Sequence, residues 1–468
     1  MAKSKTTERD EQRELSRRAL IKWSLAAGAA LGVSRSRIAE ILDKTAGQGV
    51  AAAATELPAC RSVHILAGNG GFAWFQLLFP HHEVAMSGNA TFAYHKPGEA
   101  TLMAGTAKPY VIGPDTPWAT LPADKQVTAF MGGRNNTHNQ DSNGGDVLNG
   151  NKIYAIATAL QSANSSVIRA VTFTNNVQTA FGTAPGSATP ANVGNAGAFV
   201  GLFNSAASRA GGMLAKQPDA DLYKAHYDAL AGLNAASNRS TTKSSYNTAK
   251  GAAQFLGRNL AAQLQINQGD RDRYGLTGGT RGNVAAMGEA LIVAVKAFRM
   301  GLTNCIAIPA MNDDPHGAFD GGDVNTVPAQ MKLVLDGFMA DLKATRDDVT
   351  GRSLDLDTVI SISGDTPKDT FSRPGWGDGS NRNSNWIYTY SAGHLKSGWF
   401  GGAKAGSGTM EGYNAQGNNT AGTYDPDATA RFANASIAYA IAKRDERAIS
   451  QFANGTVVSG AFGNPLSI

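Results

Sequence analysis

Charged residues and cysteines are both scarce in this chain. Only 17% of its 468 residues are charged, and two are cysteines. Two cysteines exclude a structural zinc site of the cysteine-rich type. The chain is instead rich in Gly, Ala, Asn, Ser and Thr, a composition typical of an exported globular protein with many loops.

The two cysteines, Cys60 and Cys305, each precede a strand-like apolar run, at residues 63–66 and 306–308. If those strands begin side by side in an oxidising compartment, the two thiols can form one disulfide. Otherwise both thiols remain unpaired and partly buried. The sequence leaves these two alternatives open.

The chain also lacks an N-terminal apolar run long enough to span a bilayer. Residues 23–33 are weakly hydrophobic and end at the basic segment 34–37, whereas a spanning helix needs roughly 20 apolar residues. The run follows the pair Arg17 and Arg18, and a twin arginine before such a run is the address of the translocase for folded proteins. We therefore expect residues 1–54 to be a twin-arginine signal peptide, with the twin-arginine (Tat) translocase as a partner during export. The protein is then periplasmic or otherwise extracytoplasmic, with no stable membrane span.

The excess of positive charge belongs largely to this leader. The whole chain has 42 basic and 37 acidic residues, of which residues 1–54 hold ten and six. The remaining 32 basic and 31 acidic residues nearly cancel. Nothing in residues 55–468 therefore indicates a nucleic-acid groove or a surface for acidic membranes, and we expect no nucleic-acid partner.

Apolar runs and amphipathic segments alternate in the C-terminal half. The pattern predicts a helix over 283–300, a strand over 305–310, a helix over 328–346 and a strand over 358–363. Strands that alternate with helices form βαβ units, so we expect an α/β fold with a mostly parallel central sheet flanked by helices. Further strands are predicted over 62–67, 126–131 and 167–174, and a further helix over 152–162.

Two segments interrupt this alternation. Residues 182–197 are low in complexity, and we expect a surface linker there. A helical pattern dominates from 219 to 266, so about residues 200–275 are predicted to be a helical insertion at the rim of a site. Residues 55–468 then form one large α/β domain that carries this insertion.

Polar residues follow three predicted strands, at the edge where parallel sheets bind ligands. Asp314 and His316 offer a carboxylate and an imidazole two residues apart, which suits one divalent metal such as zinc, manganese or calcium. His138 and Asp365 are the further candidate metal ligands, and Thr137 is the candidate catalytic nucleophile. Aspartate and histidine are also ordinary loop residues that cap turns or bind carbonyl groups, and that alternative stays open.

The order of several motifs resembles a known family. The D-x-H at 314–316, the segment 364–368 and the glycine-rich 393–402 follow one another as in the Tat-exported, sulfatase-like family called domain of unknown function 1501, a branch of the alkaline phosphatase superfamily. Upstream, residues 64–71 resemble its opening G-G-N-D strand and loop, and residues 136–141 resemble its S-H-F-x-x-Q-D segment. The resemblance implies an alkaline-phosphatase-like α/β fold. In its active members a hydroxyl nucleophile and one or two divalent metals attack phosphate or sulfate esters.

Several positions depart from the metal site that this family implies. Where the family has S-E-F-G-R-T-P, residues 361–367 read S-I-S-G-D-T-P, so Ile362 replaces the glutamate and Asp365 replaces the arginine. Gly70 stands where the first loop has an aspartate, and residues 383–384 replace a later Asp-His pair. Each anionic ligand helps to hold a dication whose dehydration is costly, so these losses weaken a two-metal site.

Three functions remain open at this point. The first is a non-catalytic binding or envelope-associated scaffold with an eroded metal site. The second is a metal-dependent hydrolase of phosphate or sulfate esters, and the third is calcium-stabilised adhesion through Asp/Asn loops. Distances among the side chains of His138, Asp314, His316 and Asp365 decide between the first two, because ligands of one metal gather around one point.

Overall fold

A computed structural model of the chain provides the structure. The predicted signal peptide lies outside the described residues, and so does most of the predicted insertion. The described residues are 56–80, 101–102, 111–134, 151–164, 166–173, 182–203, 225–226, 229, 259–315, 323–364, 384–404, 409–413, 419–420 and 424–452.

Two compact units divide the chain. Residues 56–164, 168–201 and 264–468 form the unit that holds the central sheet, and residues 1–55, 165–167 and 202–263 form the other. In chain order the strands are β1 (Arg61–Ala67), β2 (Thr101–Leu102), β3 (Val111–Ile112), β4 (Thr128–Arg134), β5 (Ala170–Phe173), β6 (Ala191–Val193), β7 (Cys305–Ala310), β8 (Thr358–Gly364), β9 (Ser384–Tyr390), β10 (Gly398–Phe400), β11 (Gly402–Lys404), β12 (Thr409–Tyr413) and β13 (Asn419–Thr420).

Helices occupy much of the remaining described sequence. None of the described helices combines the length and the apolar content that crossing a membrane requires. In chain order the helices are α1 (Phe72–Leu78), α2 (Ile153–Leu160), α3 (Ala196–Leu202), α4 (Leu260–Leu264), α5 (Gln268–Arg273), α6 (Gly282–Arg299), α7 (Val327–Ala344), α8 (Pro426–Ile441) and α9 (Glu446–Ser450).

One large sheet organises the described part of the chain. Its eight strands lie in the order β10-β4-β9-β8-β1-β7-β5-β6. Among these strands β9 is antiparallel to both neighbours, β8 and β4, and the other neighbours pair in parallel. The prediction of an α/β protein with a mostly parallel, helix-flanked sheet is therefore confirmed. The arrangement is consistent with an alkaline-phosphatase-like α/β fold.

Side chains of β1 show that helices cover both faces of the sheet. Successive residues of a strand point to opposite faces. The guanidinium of Arg61 lies 5.9 Å from the ring centre of Phe298 on α6. The ring of His64 meets the edge of Tyr154 on α2, with 4.9 Å between ring centres. Because Arg61 and His64 are three residues apart in the strand, α6 and α2 pack on opposite faces.

Residues 182–197 contain secondary structure, so the expectation of a surface linker there was wrong. β6 pairs in parallel with β5 at the edge of the sheet, and α3 begins at Ala196. Ala191 and Asn192 are not buried, whereas Val193 is. A short, half-exposed edge strand leaves little apolar signal in the sequence, so low complexity is a poor guide here.

The structure favours unpaired thiols over a disulfide. β1 and β7 do begin side by side, but Ser62 stands opposite Cys305, so Cys60 is two residues out of register. Both cysteines are buried and free. Burial raises the pKa of each thiol to about 12, which keeps both protonated.

His64 lies fully buried in the middle of the sheet. Its Nδ1 is 2.7 Å from Oγ of Ser361, and its Nε2 is 3.1 Å from Oγ of Ser62. The amide of Gln161 also donates to Ser62. Each ring nitrogen therefore has a hydroxyl partner, and the ring needs no charge. Burial lowers the pKa of His64 to about 3.

Acid should destabilise the protein through His64. The pKa of about 3 in the folded state lies below the ordinary value of 6.5, so this contribution is fully present above about pH 6.5 and is lost as pH falls. We expect the unfolding free energy of the wild type to fall more steeply than that of His64→Gln, by up to about 1.4 kcal/mol per pH unit. Urea unfolding at stepped pH measures both slopes. Parallel slopes would contradict the prediction.

Candidate functional site

The loops that follow β1 and β7 contact each other at the carboxyl edge of the sheet. The two strands are parallel neighbours, so their following loops meet at one edge. A Cβ atom added to Gly70 would lie 2.9 Å from Cγ of Asp314. One added to Gly71 would lie 1.4 Å from the carbonyl oxygen of Met311. The two loops are therefore packed backbone against backbone.

The backbone of both loops includes left-handed residues. Asn69 and Gly70 have φ of 54° and 86°, and Met311 has φ of 48°. Met311 is neither glycine nor asparagine, so this conformation costs energy that the surrounding contacts must offset. The N–H of Asp313 donates to the carbonyl oxygen of Met311 at 2.8 Å, which closes a tight turn. Such strain is frequent where a loop holds side chains in a fixed position for function.

Asp313 is fixed through both its side chain and its backbone. Nε and Nη2 of Arg281 each lie 2.8 Å from Oδ2 of Asp313, and the amide of Asn283 lies 3.4 Å from the same oxygen. The indole N–H of Trp74 donates to the carbonyl oxygen of Asp313 at 3.1 Å. Since Trp74 belongs to α1 and Arg281 directly precedes α6, two helices hold this loop.

Arg281 binds a second carboxylate. Its Nη1 donates to Oδ2 of Asp323 at 2.8 Å, and its guanidinium lies 5.5 Å from the ring centre of Trp74. Partial burial disfavours the charged guanidinium, but the hydrogen bond that it donates to Asp323 and the negative charge of Asp313 outweigh this effect and raise the pKa of Arg281. The residue is therefore a permanent cation that joins two aspartates at this edge.

Of the predicted site residues, the structure describes Asp314, which is partly buried in the loop after β7. His138, His316, Asp365 and Thr137 lie outside the described residues. Within the described ranges, no group of three or more His, Cys, Asp or Glu side chains is arranged to hold a metal. The convergence of the predicted ligands on one point stays a prediction.

Two described positions test whether the metal centre of the resembled family fits this chain. At Gly70, a φ of +86° and the nearby Cγ of Asp314 leave no space for a carboxylate. Ile362 is fully buried in β8, paired with Ile65 of β1 and Tyr388 of β9. A carboxylate at residue 362 would lose its hydration among apolar and aromatic neighbours. These described residues do not fit a two-metal centre of that family.

Asn385 is a structural amide beside this edge. Its Nδ2 donates to the carbonyl oxygen of Gly364, the last residue of β8, at 2.7 Å. Its Oδ1 accepts the N–H of Trp386 at 2.8 Å. A Cβ atom on Gly364 would lie 2.5 Å from the carbonyl oxygen of Ala67, so β1 and β8 also end in close backbone contact. Asn385 thus ties the end of β8 to the start of β9.

Three of these residues carry little signal in the amino-acid sequence. Arg281 lies in a polar turn with no periodicity, and Asp323 begins a single 3₁₀ turn, Asp323–Asn325, that has no apolar pattern. Trp74 follows a glycine-rich turn and is buried within α1. The D-x-H at 314–316 is the visible signal of the sequence, and it includes Asp314 but not Asp313.

The contact between the two loops predicts a large effect for a small substitution. Gly71→Ala should lower the free energy of unfolding by roughly 2–4 kcal/mol, because the new methyl group overlaps the carbonyl oxygen of Met311. Gly278→Ala is the matched control, since nothing lies within 4 Å of a Cβ atom there. It should change stability by less than about 0.5 kcal/mol. Urea unfolding compares the two variants, and equal effects would refute the packing described.

Comparison with known proteins does not assign this chain to a family. No protein-family model matches the chain, and no match is found among curated proteins or among solved structures. The family resemblance therefore rests on the motifs themselves. The α/β fold class rests on the sheet topology.

Proposed function

We propose that this chain is an exported protein, similar to the alkaline phosphatase and sulfatase superfamily, that serves as a non-catalytic binding or envelope-associated scaffold. Its metal site is eroded. The observation that carries this proposal is the absence of carboxylates at residues 70 and 362, where the described backbone and core leave no place for one.

Charge balance at the carboxyl edge supports the same conclusion. Two-metal hydrolysis requires several carboxylates to hold and neutralise the dications. In the loop after β7, the carboxylate of Asp313 forms an ion pair with Arg281, so its charge is already neutralised within the protein. The predicted ligands Asp314, His316, His138 and Asp365 suit one divalent ion rather than two. A site of this composition holds a metal more weakly than the family's own set.

The alternative is a hydrolase of phosphate or sulfate esters that uses one divalent metal, with Thr137 as nucleophile. A specific observation favours it. The loop that carries Asp314 is fixed by Arg281 and Trp74 and includes the strained Met311. Pre-organisation of this kind is what catalytic ligands require. When bound, the metal would polarise the ester and stabilise the developing charge.

Metal content and turnover distinguish the two functions. For protein purified from the periplasm, we expect less than stoichiometric zinc, manganese and calcium, and no hydrolysis of aryl phosphates or aryl sulfates. Elemental analysis after gel filtration and a chromogenic assay measure these quantities. Asp314→Asn and His316→Ala are the matched variants. Stoichiometric metal in the wild type that both variants lose together with turnover would establish the hydrolase and exclude the scaffold.

Export provides an independent test of the signal peptide. Replacing Arg17 and Arg18 together by lysine should retain the precursor in the cytoplasm, because the translocase reads the paired guanidinium groups. The control replaces Arg35 and Arg37 by lysine, since these residues follow the apolar run and should not affect recognition. Cell fractionation and immunoblotting measure the outcome. Periplasmic accumulation of the first variant at the wild-type level would contradict the signal assignment.

A further inference from the structure

We propose that Arg281 is a built-in cation that cross-links the carboxyl edge of the sheet, in the role that a bound metal ion plays elsewhere. This inference rests on the proposed function, because it explains how the edge is held together when the metal site is eroded. It concerns the chain's own residues Arg281, Asp313 and Asp323.

The two carboxylates come from separate segments. Asp313 follows β7 directly, and Asp323 lies shortly before α7. Both place an oxygen 2.8 Å from a guanidinium nitrogen of Arg281. A bound cation joins loops by gathering oxygen ligands in this way. The guanidinium does so with a fixed fork of N–H donors, which a lysine cannot reproduce.

The surroundings of the guanidinium favour a cation. The face of Trp74 lies 5.5 Å from it, a distance at which an aromatic ring attracts positive charge. The side-chain amide of Asn283 lies 3.4 Å from the oxygen of Asp313 that Arg281 binds. One guanidinium against two carboxylates leaves the three charged groups with a net charge of about −1. The guanidinium is therefore the counter-charge that both carboxylates contact.

The backbone around Arg281 is held independently of its side chain. The N–H of Arg281 donates to Oε1 of Gln330 on α7 at 3.0 Å. Nε2 of Gln330 donates in turn to the carbonyl oxygen of Gly279 at 3.1 Å. Asp313 has its own backbone hydrogen bonds to Met311 and Trp74, and the carbonyl oxygen of Asp323 accepts the N–H of Thr326 at 3.0 Å. Truncating the arginine side chain should therefore leave the two aspartates near their positions. They would then face each other without a counter-charge.

Removing the guanidinium should create a dependence on added cations. Each carboxylate lies 2.8 Å from a nitrogen of the same guanidinium, so without it the two would repel each other, and carboxylate oxygens are the ligands that calcium and manganese prefer. The side chain of Asp323 is 48% exposed, so an ion can reach the pair from solvent. The Arg281→Ala protein should be stabilised by divalent cations that have no effect on the wild type.

Thermal melting of the full-length exported protein tests this inference. In a chelator, Arg281→Ala should melt several degrees below the wild type, and millimolar calcium or manganese should restore at least half of that loss. Arg281→Lys should be destabilised and should not respond to either ion. Combining Arg281→Ala with Asp313→Asn and Asp323→Asn should abolish the response, because the oxygen ligands have lost their charge.

The matched control is Arg271→Ala. Arg271 forms an ion pair of similar length, 2.7 Å, with Glu289 on the helical surface, and both partners are about one-third exposed. Its removal should change the melting temperature little, and cations should have no effect. Arg281→Gln preserves more of the side-chain volume and is measured in the same way if Arg281→Ala does not fold.

The outcomes separate this inference from the proposed function. An Arg281→Ala protein (or Arg281→Gln, if that variant is the one measured) that melts like the wild type, or that is destabilised but responds to neither ion, would overturn the inference. A cation response that persists when both aspartates are replaced by asparagine would overturn it too. A wild-type melting temperature that falls in chelator would instead contradict the eroded metal site. The role of Arg281 would still be decided by the response of the Arg281 variants to added ions.

Discussion

The parallel pairing of β1 with β7 on one side and β8 on the other is the constraint on which the rest of the structure depends. It brings the loops after β1 and β7 to one edge and presses Gly71 against Met311. It also brings Gly364 against Ala67, so the ends of the three strands form one tight unit. Parallel strands are fixed in register by their hydrogen bonds, and the loops inherit that register.

Two polar side chains of β1, Arg61 and His64, are buried beside partners, which lowers the free-energy cost of their burial. Arg61 pairs with Asp347 at 2.6 Å, and both are almost fully buried. A buried ion pair of this kind contributes little net stability, but the loss of one partner would leave an uncompensated charge. His64 remains neutral between Ser62 and Ser361 for a related reason. These two buried polar side chains of β1 therefore each have a partner, whereas within the described part of the chain the buried hydroxyl groups of Thr358, Tyr388 and Thr389 form no hydrogen bond.

At the carboxyl edge of the sheet, charged groups near solvent are also paired. Asp313 and Asp323 are bound by Arg281, and the space beside Gly70 is taken by Asp314. The edge therefore combines a pre-organised loop with an internal counter-ion. This combination connects the proposed scaffold function with the role proposed for Arg281. Loops that are held by ion pairs of this kind present a constant surface to a partner without any need for a metal.

The sequence by itself determined the α/β class and the approximate bounds of several regular elements, because these depend on local apolar periodicity. The predicted strand over 305–310 is β7 itself, and the predicted helices over 283–300 and 328–346 differ from α6 and α7 by only a residue or two at each end. The antiparallel direction of β9 and the edge strand β6 were decided by tertiary pairing. So was the bridge from Arg281 to its two aspartates, because an ion pair between residues far apart in the chain leaves no periodic trace. The loop that bears Asp314 could be predicted from the sequence, but the residues that hold it in place could be identified only from the folded structure.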